Sequence, residues 1–367
     1  MSATRKRRGQ GLINRRHMIC GLGALGLGAL GTRAARAQDA EAALANPPGP
    51  LTLLCAGPDG GLVSRWGSAC TQAFDGSFPG NAAVLAQAVG GLDGVSGANQ
   101  FDAQMMPDGR GAAMLPGAAL TAYLTGDQRV HYDPTRWTPV LAGITPGVLM
   151  VRAAAGAVPD LAALQAFSPL KLAADQAESA DLAALLALAR LNVATSPVFG
   201  LRGAETKTRA FLDGSVDAVF LSGEGVPADV SALNAAGAVA VLSLGQFDTE
   251  GRIVSDPLFP DLPDVAGFGP AASPFLERAY QAAAAAARLD FLLVLPHLTS
   301  PDAVAQWTQA AETARQSETL AEAASASAVT LAPAPVLAAA LAALSLSEAD
   351  AASLQAFLVK SYGWQPD

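Results

Sequence analysis

The chain has 367 residues, of which 15% are charged and 51% hydrophobic, the composition of a globular protein with one large or two ordinary domains. With 32 Asp and Glu against 23 Lys and Arg, the formal net charge is −9. Such an acidic balance repels phosphate backbones and argues against nucleic acid as a partner.

The first 37 residues stand apart. Arg5, Lys6, Arg7, Arg8, Arg15 and Arg16 occur with no acidic residue, then Ile19 to Leu30 form a short apolar run, and Ala35-Arg36-Ala37 offers a small-x-small cleavage site before Gln38. The run is too short for a membrane span of about 20 residues and reads as a secretory signal over 1–37, cleaved near Ala37, with the mature protein in the periplasm. Arg15-Arg16 directly before a weakly hydrophobic run, with glycine at 21, 23, 26 and 28, points to twin-arginine translocation. His17-Met18-Ile19 departs from that motif, and general secretion stays as the alternative route. Cys20 lies inside the run rather than after it, which argues against a lipid anchor. Without the leader, 15 Lys and Arg face 32 Asp and Glu, a net charge of −17.

In the mature chain, Leu51 to Cys55 is an apolar strand, Gly57-Pro58-Asp59-Gly60-Gly61 a turn, and Leu62 to Phe74 a helix. Cys55 ends the strand and Cys70 lies well along the helix, so their α-carbons are expected farther apart than the ~7 Å a disulfide spans, leaving two buried thiols. Glycines recur from Gly90 to Gly97, and Pro107-Asp108-Gly109 is a turn. Val140 to Val151 is an apolar stretch suited to crossing between domains. Leu170 to Ala174 is a strand, and Asp181 to Leu191 a helix entered through Ser179.

From Ser196 to Gly225 the order is loop, helix, tight turn and buried strand. Ala204, Thr208, Phe211 and Leu212 recur at helical spacing; Glu205, Lys207, Arg209 and Asp213 take the other face, with Glu205 four residues before Arg209 to pair with it. Arg202 and Gly203 stand just before the first helical turn, where free N–H groups and the helix dipole favour an anion. Alternatively the loop is plain surface and Arg202 is solvated. Ala238 to Leu244 is a strand, Asp256 to Val265 a proline-broken loop, Ser273 to Leu289 a helix and Phe291 to Leu295 a strand. Ser300-Pro301-Asp302 and Ser347 with Asp350 open two further helices, while the alanine-rich 319–345 gives no decisive period.

Strands alternating with helices, with glycine turns at strand ends, predict an α/β protein with mostly parallel sheets. Ligands of such sheets sit at the carboxyl ends of strands. The loops at Gly57–Gly61, Asp175–Ser179, Gly200–Gly203 and Ser222–Gly225 are candidates to line one cleft.

Several of these marks occur together in a fixed order. Gly57-Pro58-Asp59-Gly60-Gly61 comes first, followed by Gly90-Gly91 with Gly94-Val95-Ser96-Gly97-Ala98-Asn99. Pro107-Asp108-Gly109, Tyr132-Asp133-Pro134 and Trp137-Thr138-Pro139-Val140 follow. Arg202-Gly203, Leu212-Asp213-Gly214-Ser215-Val216-Asp217 and the run from Pro257 to Val265 complete the series. The chain thereby resembles the periplasmic solute receptors of tripartite tricarboxylate transporters, the Bug family, over nearly all of its mature length. The resemblance implies a two-lobed fold of the periplasmic-binding-protein type II kind, which closes on a small carboxylate and hands it to membrane transporter subunits. Together with the apolar stretches Val148–Val151 and Phe291–Leu295, read as crossings, it implies one lobe from 38–150 plus 290–367 and a second from 151–289. A monomer without a cofactor is expected, and in the mature chain two cysteines fifteen residues apart with two distant histidines give no metal-ligand spacing.

Carried over by position, Gly60 and Gly61 match the glycines of the family's first loop, and Arg202-Gly203 match a lysine-glycine pair. Ser64 stands where the family often has aspartate, Gln176-Ala177-Glu178 replace asparagine, glycine and serine types, and Leu201 replaces a tyrosine. The candidate ligand-binding set is therefore Gly60, Gly61, Ser64, Gln176, Ser179, Arg202, Gly203 and Ser222. An enzyme is disfavoured: in the mature chain only His131 and His297 remain, no Gly-x-Ser-x-Gly elbow occurs, and no catalytic residue is assigned. A solute sensor working with a membrane partner is the alternative to uptake, and a periplasmic hydrolase a distant third.

Overall fold

The computed structural model describes residues 49–365 apart from 154–159, 168, 249, 251 and 272. The leader expectations at 1–37 therefore lie outside the described residues. Two mixed sheets form the centres of two lobes. In the first, Leu51–Ala56 (β1) is almost wholly buried, as a strand covered on both faces must be. It pairs in parallel with Val84–Val89 (β2) and Gly111–Leu115 (β3). Beyond β3 the sheet turns antiparallel, through Leu289–Leu295 (β12), Thr138–Ile144 (β4) and Thr330–Pro333 (β13). In the second, Leu170–Ala173 (β6) runs parallel to Thr195–Val198 (β7) and Ala218–Ser222 (β8), while Gly147–Arg152 (β5) is antiparallel to β8 and to Ala238–Ser243 (β9). The two-lobed α/β architecture matches the expectation. Only the three-strand core of each sheet is parallel, because strands that return from the other lobe enter from the opposite end.

Helices Leu62–Ala73 (α1), Val95–Gln104 (α2) and Gly117–Thr125 (α3) belong to the first lobe. Close approach of α2 to its neighbours explains two of the glycines: a methyl at Gly97 would lie 2.5 Å from Ala56 Cβ on β1, and one at Gly94 2.5 Å from Cδ of Pro116, the residue after β3. Gly67 on α1 serves Cys55 in the same way, with the sulfur 2.3 Å from where a methyl would sit. Cys55 and Cys70 are both buried free thiols, pushed up by burial to about 11 and about 12. The second lobe follows Leu161–Ala166 (α4) with Leu182–Arg190 (α5), Gly203–Leu212 (α6) and Val226–Ala235 (α7). β7 carries Pro197 and lies at the sheet edge, where a missing N–H is tolerated.

The chain leaves the first sheet after β4 and enters the second at β5, through Thr145 and Pro146. It returns between Pro274–Ala287 (α8) and β12, at Arg288. Val148–Val151 and Phe291–Leu295, expected as the crossings, are instead strand residues of β5 and β12, since two residues between strand ends suffice to change sheets. Thr145 N donates to Arg288 O at 2.7 Å. The buried Arg288 guanidinium donates through Nε to Gly245 O at 2.8 Å and through Nη2 to Leu244 O. Three interlobe segments are thus tied at one point. Gly245 leads into the small hairpin Gln246–Phe247 (β10) and Ile253–Val254 (β11), and Phe247 packs on the first-lobe core.

After β12 come Pro301–Arg315 (α9), Glu318–Ala326 (α10), β13, Ala334–Ala343 (α11) and Glu348–Tyr362 (α12). Ser273, Ser300 and Ser347 cap their helices through side-chain acceptors, the last two as the sequence predicts. α12 departs from the expected lobe boundary. Leu354 and Leu358 join the second-lobe core, Phe357 meets Phe275, and Tyr362 meets Phe199. Arg278 on α8 grips Asp350 with two bonds of 2.7 and 2.8 Å. Gln355 Nε2 donates to Thr125 O of the first lobe at 3.2 Å, so residues 348–364 lie against both lobes, with their aromatic stripe on the second.

Candidate functional site

The carboxyl ends of the parallel strands of both sheets face one cleft. From the first lobe come the turn after β1 and the glycine-rich stretch after β2. From the second come the loops after β6, β7 and β8. A cavity of about 660 Å³ lies between them, lined by Leu92, Asp93, Asp127 and Arg129 on one side and by Asp175, Gln176, Glu178, Ser179 and Arg202 on the other, with Trp364 at the C-terminal end of α12. An adjoining hollow of about 230 Å³ reaches Gly203, Ala204, Lys207 and Ser222, and shares Asp175 and Ser179 with the larger one.

Of the candidate residues, Gln176, Ser179, Arg202, Gly203 and Ser222 come together on the second-lobe wall. Gly60 and Ser64 line a separate shallow hollow of about 370 Å³ beside Arg65, and Gly61 caps α1. That hollow is lined by first-lobe residues alone; of its lining only Arg65 reaches the second lobe, where its Nη2 meets Glu224 Oε2 at 3.0 Å across the cleft. Arg202 does not pair with Glu205, which holds Arg209 at 2.7 Å as its spacing predicts. Its Nε donates to Asp175 Oδ2 at 3.1 Å, and its side chain stays 71% exposed. Gly203 has φ +74°, the left-handed region, with open space around it, so the backbone of the first α6 turn is bare toward the cleft.

Beneath this wall lies a group that helical spacing had placed on the solvent face. Lys207 is buried, and its Nζ donates to Asp181 Oδ1 at 2.5 Å and to Phe220 O at 3.3 Å. Asp181, 2% exposed, accepts in turn from Asp175 N at 2.7 Å and from Ser179 Oγ at 3.1 Å. The buried face of α6 is Lys207, Ala210 and Phe211, whereas Leu212, expected inside, is 63% exposed. One ion pair therefore pins α6, the 175–179 loop and the end of β8 together.

On the opposite wall Arg129 Nη1 meets Asp93 Oδ2 at 2.8 Å and Nη2 meets Asp127 Oδ2 at 2.5 Å. The Arg129 hydrogen bond holds the Asp127 carboxyl below its usual range. The sequence offered one usable signal here, Asp127 two residues before Arg129 in a turn. Nothing marked Trp364 or Lys207, whose partners are distant in the chain. At the cleft end of β12, Asp290 is 5% exposed and accepts from Trp66 Nε1 at 2.7 Å. Burial first, and then the charge of Glu224, push it up to about 6. Among the described residues no group of three or more His, Cys, Asp and Glu could hold a metal ion.

The fold has close counterparts among solved structures. A TctC solute binding protein from Polaromonas, without ligand, is similar with a TM-score of 0.65 at 17% identity, covering 86% of this chain and 99% of that one. MatC from Rhodopseudomonas palustris, with bound malate, gives 0.51 at 18% identity over 84% and 99%. A structure described as a periplasmic transporter gives 0.50 at 16% over 88% and 99%. No family model matches the chain, and no curated protein does. At these identities the likeness shows the two-lobed binding-protein fold.

Proposed function

We propose that the chain is a periplasmic solute receptor of the tripartite tricarboxylate type, which takes a small carboxylate between its lobes and presents it to membrane transporter subunits. The observation that carries this reading is the second-lobe wall. Three strand-end loops converge there, with Arg202 on the larger cavity and the bare first turn of α6 on the hollow that adjoins it. Helix N–H groups and the positive end of the dipole favour a carboxylate by up to ~1 kcal/mol, and a guanidinium adds a charge-assisted bond. The likeness to MatC, which is described with malate, supports the same ligand class. The basic, acid-free leader supports export, with twin-arginine translocation as the proposed route and a monomer as the proposed state. Binding and release need no covalent chemistry, and no catalytic role is proposed for any residue.

A thermal-shift screen with mono-, di- and tricarboxylates, amides and neutral sugars tests the reading. A ligand at a hundred times its dissociation constant adds about 2.7 kcal/mol, and only the acids are expected to respond. Arg202→Ala should weaken the best acid about tenfold, the low end for a charged hydrogen bond because this arginine is exposed and already shared with Asp175. A response confined to uncharged compounds, or an unchanged affinity in the variant, would count against this assignment.

A further inference from the structure

The charges around the cavity narrow the ligand further. Four carboxylates line it, Asp93, Asp127, Asp175 and Glu178, against two guanidiniums, Arg129 and Arg202. Both guanidiniums are already engaged: Arg129 holds Asp93 and Asp127, and Arg202 holds Asp175. Glu178 has no ion pair with any of the described residues. A ligand with two carboxylates would bring two negative charges into a cavity that already carries two in excess, and the guanidinium on its far wall, Arg129, is already shared between Asp93 and Asp127. Trp364 also lines the cavity, and indole rings attract cations.

We propose that the cleft selects a small zwitterion, an amino-carboxylate whose carboxylate meets Arg202 and the first turn of α6 while its ammonium lies toward Glu178, the Asp93–Asp127 wall and Trp364. This rests on the carboxylate-receptor reading and adds the second charge to it. Being neutral overall, such a ligand leaves the cavity's charge as it is, where a dicarboxylate would make it two units more negative, and its ammonium meets the carboxylates without breaking an existing ion pair. Glu178 is the specificity-determining residue, since its carboxylate is the one not committed to a guanidinium.

Isothermal titration at low salt and neutral pH, using chains matched in length, tests the assignment on the purified exported protein. The four-carbon set is 4-aminobutyrate, succinate and putrescine; the six-carbon set is 6-aminohexanoate, adipate and 1,6-diaminohexane. The amino-carboxylate is expected to bind at least tenfold tighter than the dicarboxylate of equal length. Glu178→Gln should cut that advantage several-fold without weakening the dicarboxylate. A dicarboxylate that binds as tightly as its amino-carboxylate overturns the inference and leaves the carboxylate reading standing. Binding of the diamines alone, or no heat from any of the six, overturns both. An unchanged preference in Glu178→Gln removes that residue from the role.

Discussion

Each lobe buries a carboxylate at the cleft end of its sheet, and the two are treated in opposite ways. Asp181 in the second lobe is met by the Lys207 ammonium, by Asp175 N and by the Ser179 hydroxyl. Asp290 in the first is met by the neutral Trp66 indole, with Glu224 of the other lobe raising it further. The first arrangement satisfies a charge and uses it to fix three pieces of the ligand wall. The second leaves a carboxyl whose ionisation the fold disfavours, two residues from the crossing at Arg288. A compensated charge thus lies under the wall that carries Arg202, and an uncompensated carboxyl lies beside the crossing between the lobes.

The largest effect that would break this contrast comes from Lys207→Met. It leaves Asp181 buried with its charge uncompensated, a loss of about 3–5 kcal/mol, and the melting temperature should fall by roughly 6–15 °C. Adding Asp181→Asn should recover much of the loss, because the amide can still accept from Asp175 N and no charge remains. A single variant as stable as the parent, measured by denaturant unfolding, would mean that the pair does not anchor the wall.

Asp290 gives the next effect, with the opposite sign. Its folded value of about 6 lies above the ordinary aspartate value, so the native state holds the proton more tightly than the unfolded chain does. Stability contributed by this group is present below about pH 4 and is lost as pH rises to about 6, up to about 3 kcal/mol for a shift of about two units. Asp127 and Asp350, held below their usual range by arginine partners, act at lower pH and do not oppose this between pH 5 and 7.5. Asp290→Asn keeps an acceptor for Trp66 and should raise stability at pH 7.5 more than at pH 5. Equal gains at the two pH values would show that Asp290 is not the titrating group.

The same contrast explains what could be read from the sequence. Helix starts at Ser273, Ser300 and Ser347 were legible because a capping serine and the backbone N–H that donates to it lie three residues apart. The strand of Leu51–Ala56, the turn after it and the Glu205–Arg209 pair were legible for the same local reason. The stretch from β2 to α3 was not. β2 is an exposed edge strand, α2 is polar, and α3 is apolar on nearly every side, so neither period stands out. The site divided similarly: loops announced by glycine and by Arg202 were found, whereas Lys207 reads as a surface residue until Asp181, 26 residues away, is folded against it. Asp93, Glu178 and Trp364 meet only when the lobes and the C-terminal helix come together.

The smallest expected change in stability belongs to the contact that joins the two regions. Arg65 on α1 and Glu224 after β8 meet at 3.0 Å with the arginine side chain 58% exposed, and an exposed pair of this kind contributes at most about 1 kcal/mol. Arg65→Ala should therefore move the melting temperature by no more than about 2 °C. Its position gives it a second consequence. The pair exists only when the lobes are near each other, so removing it acts on the open–closed equilibrium by its full worth, and 1 kcal/mol there is about a fivefold change in population. The variant should bind ligand a few-fold more weakly, and small-angle scattering of the unliganded protein should show a larger radius of gyration. The losses should shrink as salt is raised, because exposed charges are screened within about 10 Å at 0.1 M. Glu224→Gln should match Arg65→Ala in scattering and also relieve Asp290 of a neighbouring charge, shifting the pH midpoint of stability downward. If both variants scatter like the parent with and without ligand, the ion pair spans the cleft without governing its closure.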